Sequence, residues 1–485
     1  MTALMGEAGV EVPATALPCA SCHGADGRGR PEGGVEPSDL TWDALIRPYT
    51  VRTATGRERG PYTPRLLVRA ITMGLDASGN RLDAVMPRYR LSRQDADDLV
   101  AYLQKLGRDP DPGLAEDALR VGVLLPPEGN GGPAATAATV RQVLTAYAAE
   151  TNRRGGIYGR RLELAWLTLP ADPAARAAAT EVWLDEQPVF ALAASFLAGA
   201  DRELADLAER REIPLVGPFT FHPDESFPLN RFVFHLHAGL PGQARALVAY
   251  AARRAPSPAP PPAALLLPED PLLAPAAAAL AERAAEHAAG GTGDDGGAGP
   301  WSSLRRLSWA PGRFDAAGTA AELAEAGVET VFLLAPGSEE RALLAAAAAR
   351  GWAPSIHLLG PLAGGEVAEP VPGWRGRLVL AFPTLPQDRT PAGIEHLHEA
   401  TGGAELPAGT TTVTAFAALD LLVEGLERAG RDLSRERVVR ALEALRDHRT
   451  GLLPPLTYGA NRRIGARGAW IVELDSRQPQ SEPRR

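Results

Sequence analysis

Apolar residues along this 485-residue chain fall into two textures. Up to about Arg108 they are sparse and spaced for short helices, among them 63–72 and 92–106. The second of these is well specified: Ser92 is placed to cap it, Asp95 lies at its third position near the positive end of the helix dipole, and Leu99, Val100 and Leu103 share one face. Asp109-Pro-Asp-Pro-Gly113 then breaks all periodicity and reads as a linker. From Leu119 onward, short apolar runs alternate with alanine-rich helical stretches, the pattern of a parallel sheet flanked by helices. Candidate strands are 120–125, 161–167, 189–194, 214–216, 264–267, 331–334, 356–359 and 378–382. They are too many for one small sheet, so two α/β lobes are expected. Proline-rich 255–262 and glycine-rich 290–300 read as surface loops, and the polar residues after Asp475 as a frayed tail.

Length sharpens this division, because single cores stop growing well before 485 residues and several compact units are required. A net charge of -9 gives no whole-chain preference for nucleic acid. Lys105 is the only lysine, a bias with no functional reading. No apolar run is long enough to span a bilayer, so no transmembrane segment is expected. Both cysteines fall within one motif, leaving none for a structural disulfide.

That motif is Cys19-Ala-Ser-Cys22-His23, the spacing of c-type heme attachment: two thiols add to the porphyrin vinyls and the adjacent imidazole becomes an iron ligand. The immediate histidine and the lack of further cysteines disfavour a redox dithiol or half a zinc site. One covalent heme c is therefore expected as cofactor. His23 is the only histidine before His222, so the remaining donors for the sixth iron position are Met1, Met5, Met73, Met86 and Lys105. Met86 is the first choice, since Pro87 stiffens the loop that presents its sulfur just ahead of the Ser92 helix. Met73 is the alternative, with core packing as its plainer role. Heme c attachment takes place outside the cytoplasm, which points to the periplasm. Residues 1–18 lack the features of a secretory signal, so a leader is expected to have been removed or to lie upstream of the start given.

Taken together, residues 16–106 resemble class I cytochromes c, in which the attachment motif opens a small all-α domain and a Met-Pro loop precedes its last helix. The resemblance implies a cytochrome c domain over 1–108 with a short helix ahead of the motif, here carrying Gly6, Gly9 and Pro13. Six arginines between Arg47 and Arg69, against Glu58 alone, suggest either a docking patch for an acidic redox partner or a solvated loop.

After a linker at 109–118, the run 119–125, the Arg153-Arg-Gly-Gly-Ile-Tyr-Gly159 turn, Asp172-Pro173, Ala194-Ser195, Ile213-Pro-Leu-Val-Gly-Pro218, 450–457 and 468–473 resemble type 1 periplasmic binding proteins of the branched-chain amino acid group. This implies a two-lobed domain over 119–475, several crossovers between lobes, a ligand cleft, and a disordered tail at 476–485. Ligands in open α/β sheets collect beyond the carboxyl ends of strands, near helix N-termini. Ser195 and Thr220 are expected at such ends, and the resemblance makes Ser195, Phe196, Thr220 and Phe221 the ligand contacts; the plainer reading is that the two hydroxyls cap helices. Glu269, Asp270, Pro336 and Gly337 would face them from the second lobe. The segment after Pro268 lacks the Tyr-Gly of amino-acid binders, so an amino acid is not assumed as ligand.

Two His-Leu-His pairs, His235/His237 and His396/His398, would share a face only in extended backbone and lack a carboxylate cluster for a metal. No nucleophile elbow or catalytic triad is evident, and a methionine-capped heme has no vacant site, so no enzyme is expected. Two functions remain: a periplasmic electron carrier coupled to small-molecule recognition, with a redox partner that is a periplasmic dehydrogenase (a quinoprotein alcohol-oxidation system by resemblance) or another cytochrome; or an ABC transporter substrate-binding protein serving a permease, with an accessory cytochrome.

Overall fold

Glycine and proline near the N-terminus decide its first element. A computed structural model of the chain describes residues 2–5, 10–24, 26–29, 37–53, 56–106, 110–129, 132–224, 226, 229–254, 262–289, 304–363, 374 and 376–474. In place of the helix expected ahead of the heme motif, β1 (Thr2–Met5) and β2 (Val10–Pro13) pair antiparallel. Interior Gly and Pro cost a helix about 1 and 3 kcal/mol each, and Gly6, Gly9 and Pro13 crowd this segment. The alternating strand instead drives Ala3 inward, fully buried opposite Tyr89.

The rest of the first unit is mainly helical, with three short strands. It comprises α1 (Ala20–His23), α2 (Trp42–Leu45), β3 (Val51–Arg52), β4 (Glu58–Arg59), α3 (Pro64–Met73), β5 (Arg88–Arg90) and α4 (Arg93–Lys105), with β5 on the other edge of β1. Thr63 caps α3, whose first residue Pro64 has its fixed φ preorganised for a helix, and Gly74 ends it at φ 67°. Ser92 and Asp95 cap α4 reciprocally, each through a 3.1 Å bond. Leu45, Tyr62, Leu67, Ala70, Ile71 and Leu103 close the core. Met73, expected in that core, is 66% exposed at the end of α3.

The chain divides after Ala115, with Asp432–Val438 clustering with the first unit. The second unit begins with β6 (Ala118–Leu125), α5 (Gly132–Arg153), β7 (Arg161–Thr168), α6 (Pro173–Glu186), β8 (Ala191–Ala193), α7 (Asp201–Arg210), β9 (Leu215–Val216) and β10 (Val233–His237). It continues through α8 (Gly239–Arg254), β11 (Ala263–Pro268), α9 (Ala274–Ala289), β12 (Leu304–Trp309), α10 (Ala316–Glu325), β13 (Thr330–Leu333), α11 (Gly337–Ala349), β14 (Ser355–Leu359) and β15 (Leu378–Phe382). The last elements are α12 (Pro391–Ala400), α13 (Thr410–Ala429), α14 (Arg435–Glu443), whose first four residues belong to the Asp432–Val438 segment, β16 (Ile464–Ala466) and β17 (Trp470–Glu473).

Among the described residues two six-stranded sheets result, ordered β16-β10-β9-β8-β6-β7 and β12-β11-β13-β14-β15-β17. All pairings are parallel except β15 with β17. The chain passes between the sheets after β10, after β15 and after β16. Strands buried on both faces, such as Val121–Val123 and Val331–Leu333, explain the continuous apolar runs, each large side chain contributing about 1.5–3 kcal/mol on burial.

Candidate functional site

In the first unit, α1 is one turn that sets its chemistry by spacing. Cys19 starts the turn, the His23 N–H donates to its carbonyl at 2.9 Å, and Gly24 turns the chain away at φ 76°. Both thiols are exposed and unpaired. The His23 ring lies 2.9 Å from the Ser38 carbonyl through Nδ1. A carbonyl only accepts, so the proton sits on Nδ1 and the lone pair on Nε2. Burial lowers the imidazole's pKa against the opposing pull of that carbonyl, which favours the neutral, metal-binding form. Two free thiols and a neutral, oriented imidazole are the donor set a covalent heme requires, so the residues fit the group.

Met86 is half-buried in a tight turn: its N–H donates to the Asp83 carbonyl at 3.2 Å, and the Val85 N–H to Asp83 Oδ1 at 2.9 Å. Tyr89, three residues on, donates to the Leu17 carbonyl at 2.7 Å, and burial with the neighbouring Cys19 pushes its phenol well above the usual range. Met1 lies outside the described residues. Of the six arginines, Arg59 donates to the carbonyls of Ala44, Leu45 and Gly60, Arg69 to that of Asp76, and Arg57 pairs with buried Asp76 at 2.8 Å. Those three support the fold, leaving Arg47, Arg52 and Arg65 on the surface.

In the second unit, Ser195 follows β8 past Ala194, whose φ of 47° is uncommon for a side chain with a Cβ. Its hydroxyl is fully buried, accepting from the Leu124 N–H at 3.1 Å and donating to the Ala193 carbonyl at 3.3 Å. Phe196 and Phe219 extend the β8–β9 pairing by one bridge. Thr220 donates to Asp201, the first residue of α7, and accepts from the His222 N–H at 2.9 Å. Neither hydroxyl is a helix N-cap: α7 is preceded by Ala200, and the next helix after Thr220 is α8. Both do stand at the carboxyl edge of the first sheet, with half-buried Phe196 and with Phe221 exposed beside them.

Arg176, which sequence reasoning missed, ties this edge together. It is buried on α6, donates to the carbonyls of Pro170, Ala171 and Ala198, and lies 5.9 Å from the Phe196 ring centre. Its place on an otherwise core-facing stripe with Thr180, Trp183 and Leu184 was the available signal.

At the corresponding edge of the second sheet, Asp270 accepts from the Leu272 N–H, Pro336 caps α11, and Gly337 begins it. An aromatic pair stands there: Trp309 and Phe314 ring centres are 4.3 Å apart, and the Trp309 indole donates to Glu339 at 3.1 Å. Glu340, fully buried on the first turns of α11, has no hydrogen-bond partner on either oxygen, and burial raises its pKa to about 7. A cavity of about 600 Å³ opens at the opposite edge of this sheet, among Tyr250, Ser355, His357 and Arg377.

His235 and His237 share one face of β10, and burial lowers both to about 4. His396 and His398 lie on α12, where positions two apart do not share a face, and His396 pairs with Asp420 at 2.9 Å. Among the described residues no group of three His, Cys, Asp or Glu is placed to hold a metal ion, and no helix is long and apolar enough to cross a membrane.

Comparison with known proteins agrees with this geometry. The family model described as periplasmic binding protein matches residues 118–479, and that described as cytochrome c matches 8–107. Solved structures with the same fold include a fatty acid ABC transporter substrate-binding protein from Thermomonospora curvata, at 17% identity over 76% of this chain and 92% of that one, with a TM-score of 0.57. A branched-chain amino acid ABC transporter protein from Thermus thermophilus with bound valine is 18% identical over 76% of this chain and 97% of that one, TM-score 0.57. A type 1 periplasmic binding protein from Bordetella pertussis is 17% identical over 76% of this chain and all of that one, TM-score 0.56. At such identities the likeness is one of fold. No curated protein matches the chain significantly.

Proposed function

The chain belongs to the periplasmic binding protein family and carries a cytochrome c domain ahead of that region, and on this premise we propose that it is a periplasmic electron-transfer protein coupled to small-molecule recognition. The observation that carries the electron-transfer half is the pairing of two unbonded thiols, Cys19 and Cys22, with a His23 ring whose Nδ1–H is held by Ser38. Cys19 and Cys22 would anchor one heme c, and His23 and Met86 would hold its iron. When bound, the heme supplies a one-electron couple, and a His/Met pair favours outer-sphere transfer over oxygen chemistry. Ser38 orients the imidazole, and the Asp83 turn presents the thioether. A domain that held heme in this way would carry electrons rather than change bonds.

Ligand recognition is assigned to the carboxyl edges of the two sheets, where Phe196, Thr220 and Phe221 would meet a ligand from the first lobe, with Ser195 buried beneath them. Trp309 and Phe314 would give the second lobe an aromatic surface, with Glu339 on the Trp309 indole and Glu269 and Asp270 exposed on the same edge. A compact organic molecule suits such a surface, a less charged one as readily as an amino acid. The electron partner is a periplasmic dehydrogenase, the quinoprotein alcohol-oxidation type among them, or another cytochrome.

A second reading is delivery of solute to an ABC permease, favoured by fold neighbours named as ABC transporter substrate-binding proteins. Native mass spectrometry of the full chain, matured with heme c machinery, tests both halves. One heme mass that survives acid-acetone extraction, together with a displaceable small ligand, is expected. Extractable heme overturns the first half, and a folded protein indifferent to alcohols, aldehydes, short carboxylates and amino acids overturns the second.

A further inference from the structure

The loop that presents Met86 is held from one side by a single residue. Arg88 lies two positions after Met86, in β5, yet its side chain turns back over the loop. Its Nη1 donates to the Met86 carbonyl, and its Nη2 donates to those of Leu82 and Asp83 at 3.1 Å each. Three carbonyls converging on one place repel one another unless donors lie between them. A planar guanidinium, with donors in a rigid fork, meets that need; an ammonium is a point charge on a flexible stem.

Room for this fork is made at the end of α3. Gly74 sits in the left-handed region at φ 67° and accepts the Leu82 N–H at 2.8 Å. A Cβ at Gly74 would collide with the Arg88 guanidinium. The glycine therefore answers two demands, a backbone turn that L side chains rarely adopt and the close passage of a cation. Arg88 thereby ties the end of α3, the loop from Leu82 to Met86 and β5 into one unit, and β5 is itself paired with β1.

We propose that Arg88 is a positioning residue for the sixth iron ligand, clamping the Leu82–Met86 carbonyls so that the Met86 thioether is held at the metal, with Gly74 as the socket that admits the clamp. This rests on the reading of Met86 as that ligand. The clamp opposes displacement: an external ligand must swing the Met86 loop aside and break the fork to reach the iron. Met86 is thereby retained by the backbone that carries it as well as by its own bond.

Imidazole binding to the oxidised, full-length, heme-loaded protein measures that opposition, alongside the weak sulfur-to-iron charge-transfer band. Arg88→Ala should raise imidazole affinity at least tenfold, and Arg88→Lys should not restore the wild-type value. Gly74→Ala should weaken retention of Met86 in the wild-type background and add little in Arg88→Ala, because both changes remove one interaction. Leu67→Ala, which opens the same core away from the loop, serves as the control for general loosening and should stay within twofold of wild type. An Arg88→Ala protein within twofold of wild type, in a chain where Met86→Ala abolishes the band, overturns the clamp alone. So does a Leu67→Ala protein whose affinity rises as far as that of Arg88→Ala. A band that survives Met86→Ala overturns the ligand assignment, and the clamp with it.

Discussion

The Tyr89 phenol donates a 2.7 Å hydrogen bond to the carbonyl of Leu17, two residues ahead of the first heme-motif cysteine. The strand that follows Met86 is thus fastened to the segment that carries Cys19, and the two candidate axial ligands belong to one hydrogen-bonded frame. Tyr89→Phe should lower stability by about 1–2 kcal/mol, because the acceptor loses its partner in a largely buried place. Denaturant midpoints of the heme-loaded chain measure this; no change would mean that water replaces the phenol at no cost.

Met86→Ala should abolish the sulfur-to-iron band near the red edge of the visible spectrum, and Met73→Ala should leave it intact. Met73 is mostly exposed, so its replacement should also cost less than 0.5 kcal/mol, the scale of an ordinary surface change. Loss of the band in Met73→Ala with its survival in Met86→Ala would reverse the assignment.

Ser195→Ala carries two consequences that separate experimentally. The buried Leu124 N–H loses its acceptor, so thermal stability without ligand should fall by about 1–3 kcal/mol. Thr220→Ala frees Asp201 and should cost less stability, since Thr220 is only half-buried. If either hydroxyl also touches ligand, its variant should weaken binding by roughly a further 0.5–1.5 kcal/mol, read from ligand-induced shifts in melting temperature. Unaltered shifts in both variants would remove them from the contact set.

Acid and base should act on this protein through different residues. His235 and His237 have folded pKa values near 4, and His357 near 3, all through burial. Unfolded imidazoles take up protons below about 6.5 while the folded ones do not, so stability should fall as pH drops from 6.5 toward 4, by on the order of 3 kcal/mol per group at most. Glu340 works in the opposite direction. Its folded pKa near 7 lies above the unfolded value, so its neutral form stabilises below about 4.5 and that contribution is lost as pH rises through 7. Glu340→Gln should therefore gain stability relative to wild type between pH 5 and pH 8, by on the order of 2 kcal/mol. Parallel urea midpoints at the two pH values check this, and a pH-independent difference would mean that Glu340 is solvated.

Local chemistry was the part of the fold that could be read in advance. The α4 cap needs only Ser92 and Asp95, three residues apart, and β6, β11 and β13 announce themselves as apolar runs. Elements fixed by distant partners were less visible. β1 became a strand because β5, far along the chain, offers it an edge, and β12, an edge strand with two arginines, carries no buried run. The motif residues followed the same rule. Cys19, Cys22 and His23 are legible from spacing, whereas the commitments of Ser195 to Leu124 and of Thr220 to Asp201 depend on a sheet edge that exists only after folding. Arg88 and Arg176 escaped notice for a related reason: each answers a convergence of carbonyls, and sequence does not display where carbonyls meet.

The three passages between the sheets have a consequence for synthesis. The strand beside β10 and the strand beside β15 both come from residues 464–473, after every other strand has been made. While the ribosome is still adding α12 to α14, each lobe has five strands, and β10 and β15 are left as edges, templates that a neighbouring nascent chain could pair with. β10 and β15 gain their last partners almost together, within a stretch of ten residues, so the lobes reach completion as a pair. A chain stopped shortly before Ile464 would leave two lobes unfinished at once, and it should be the most aggregation-prone of all its truncations.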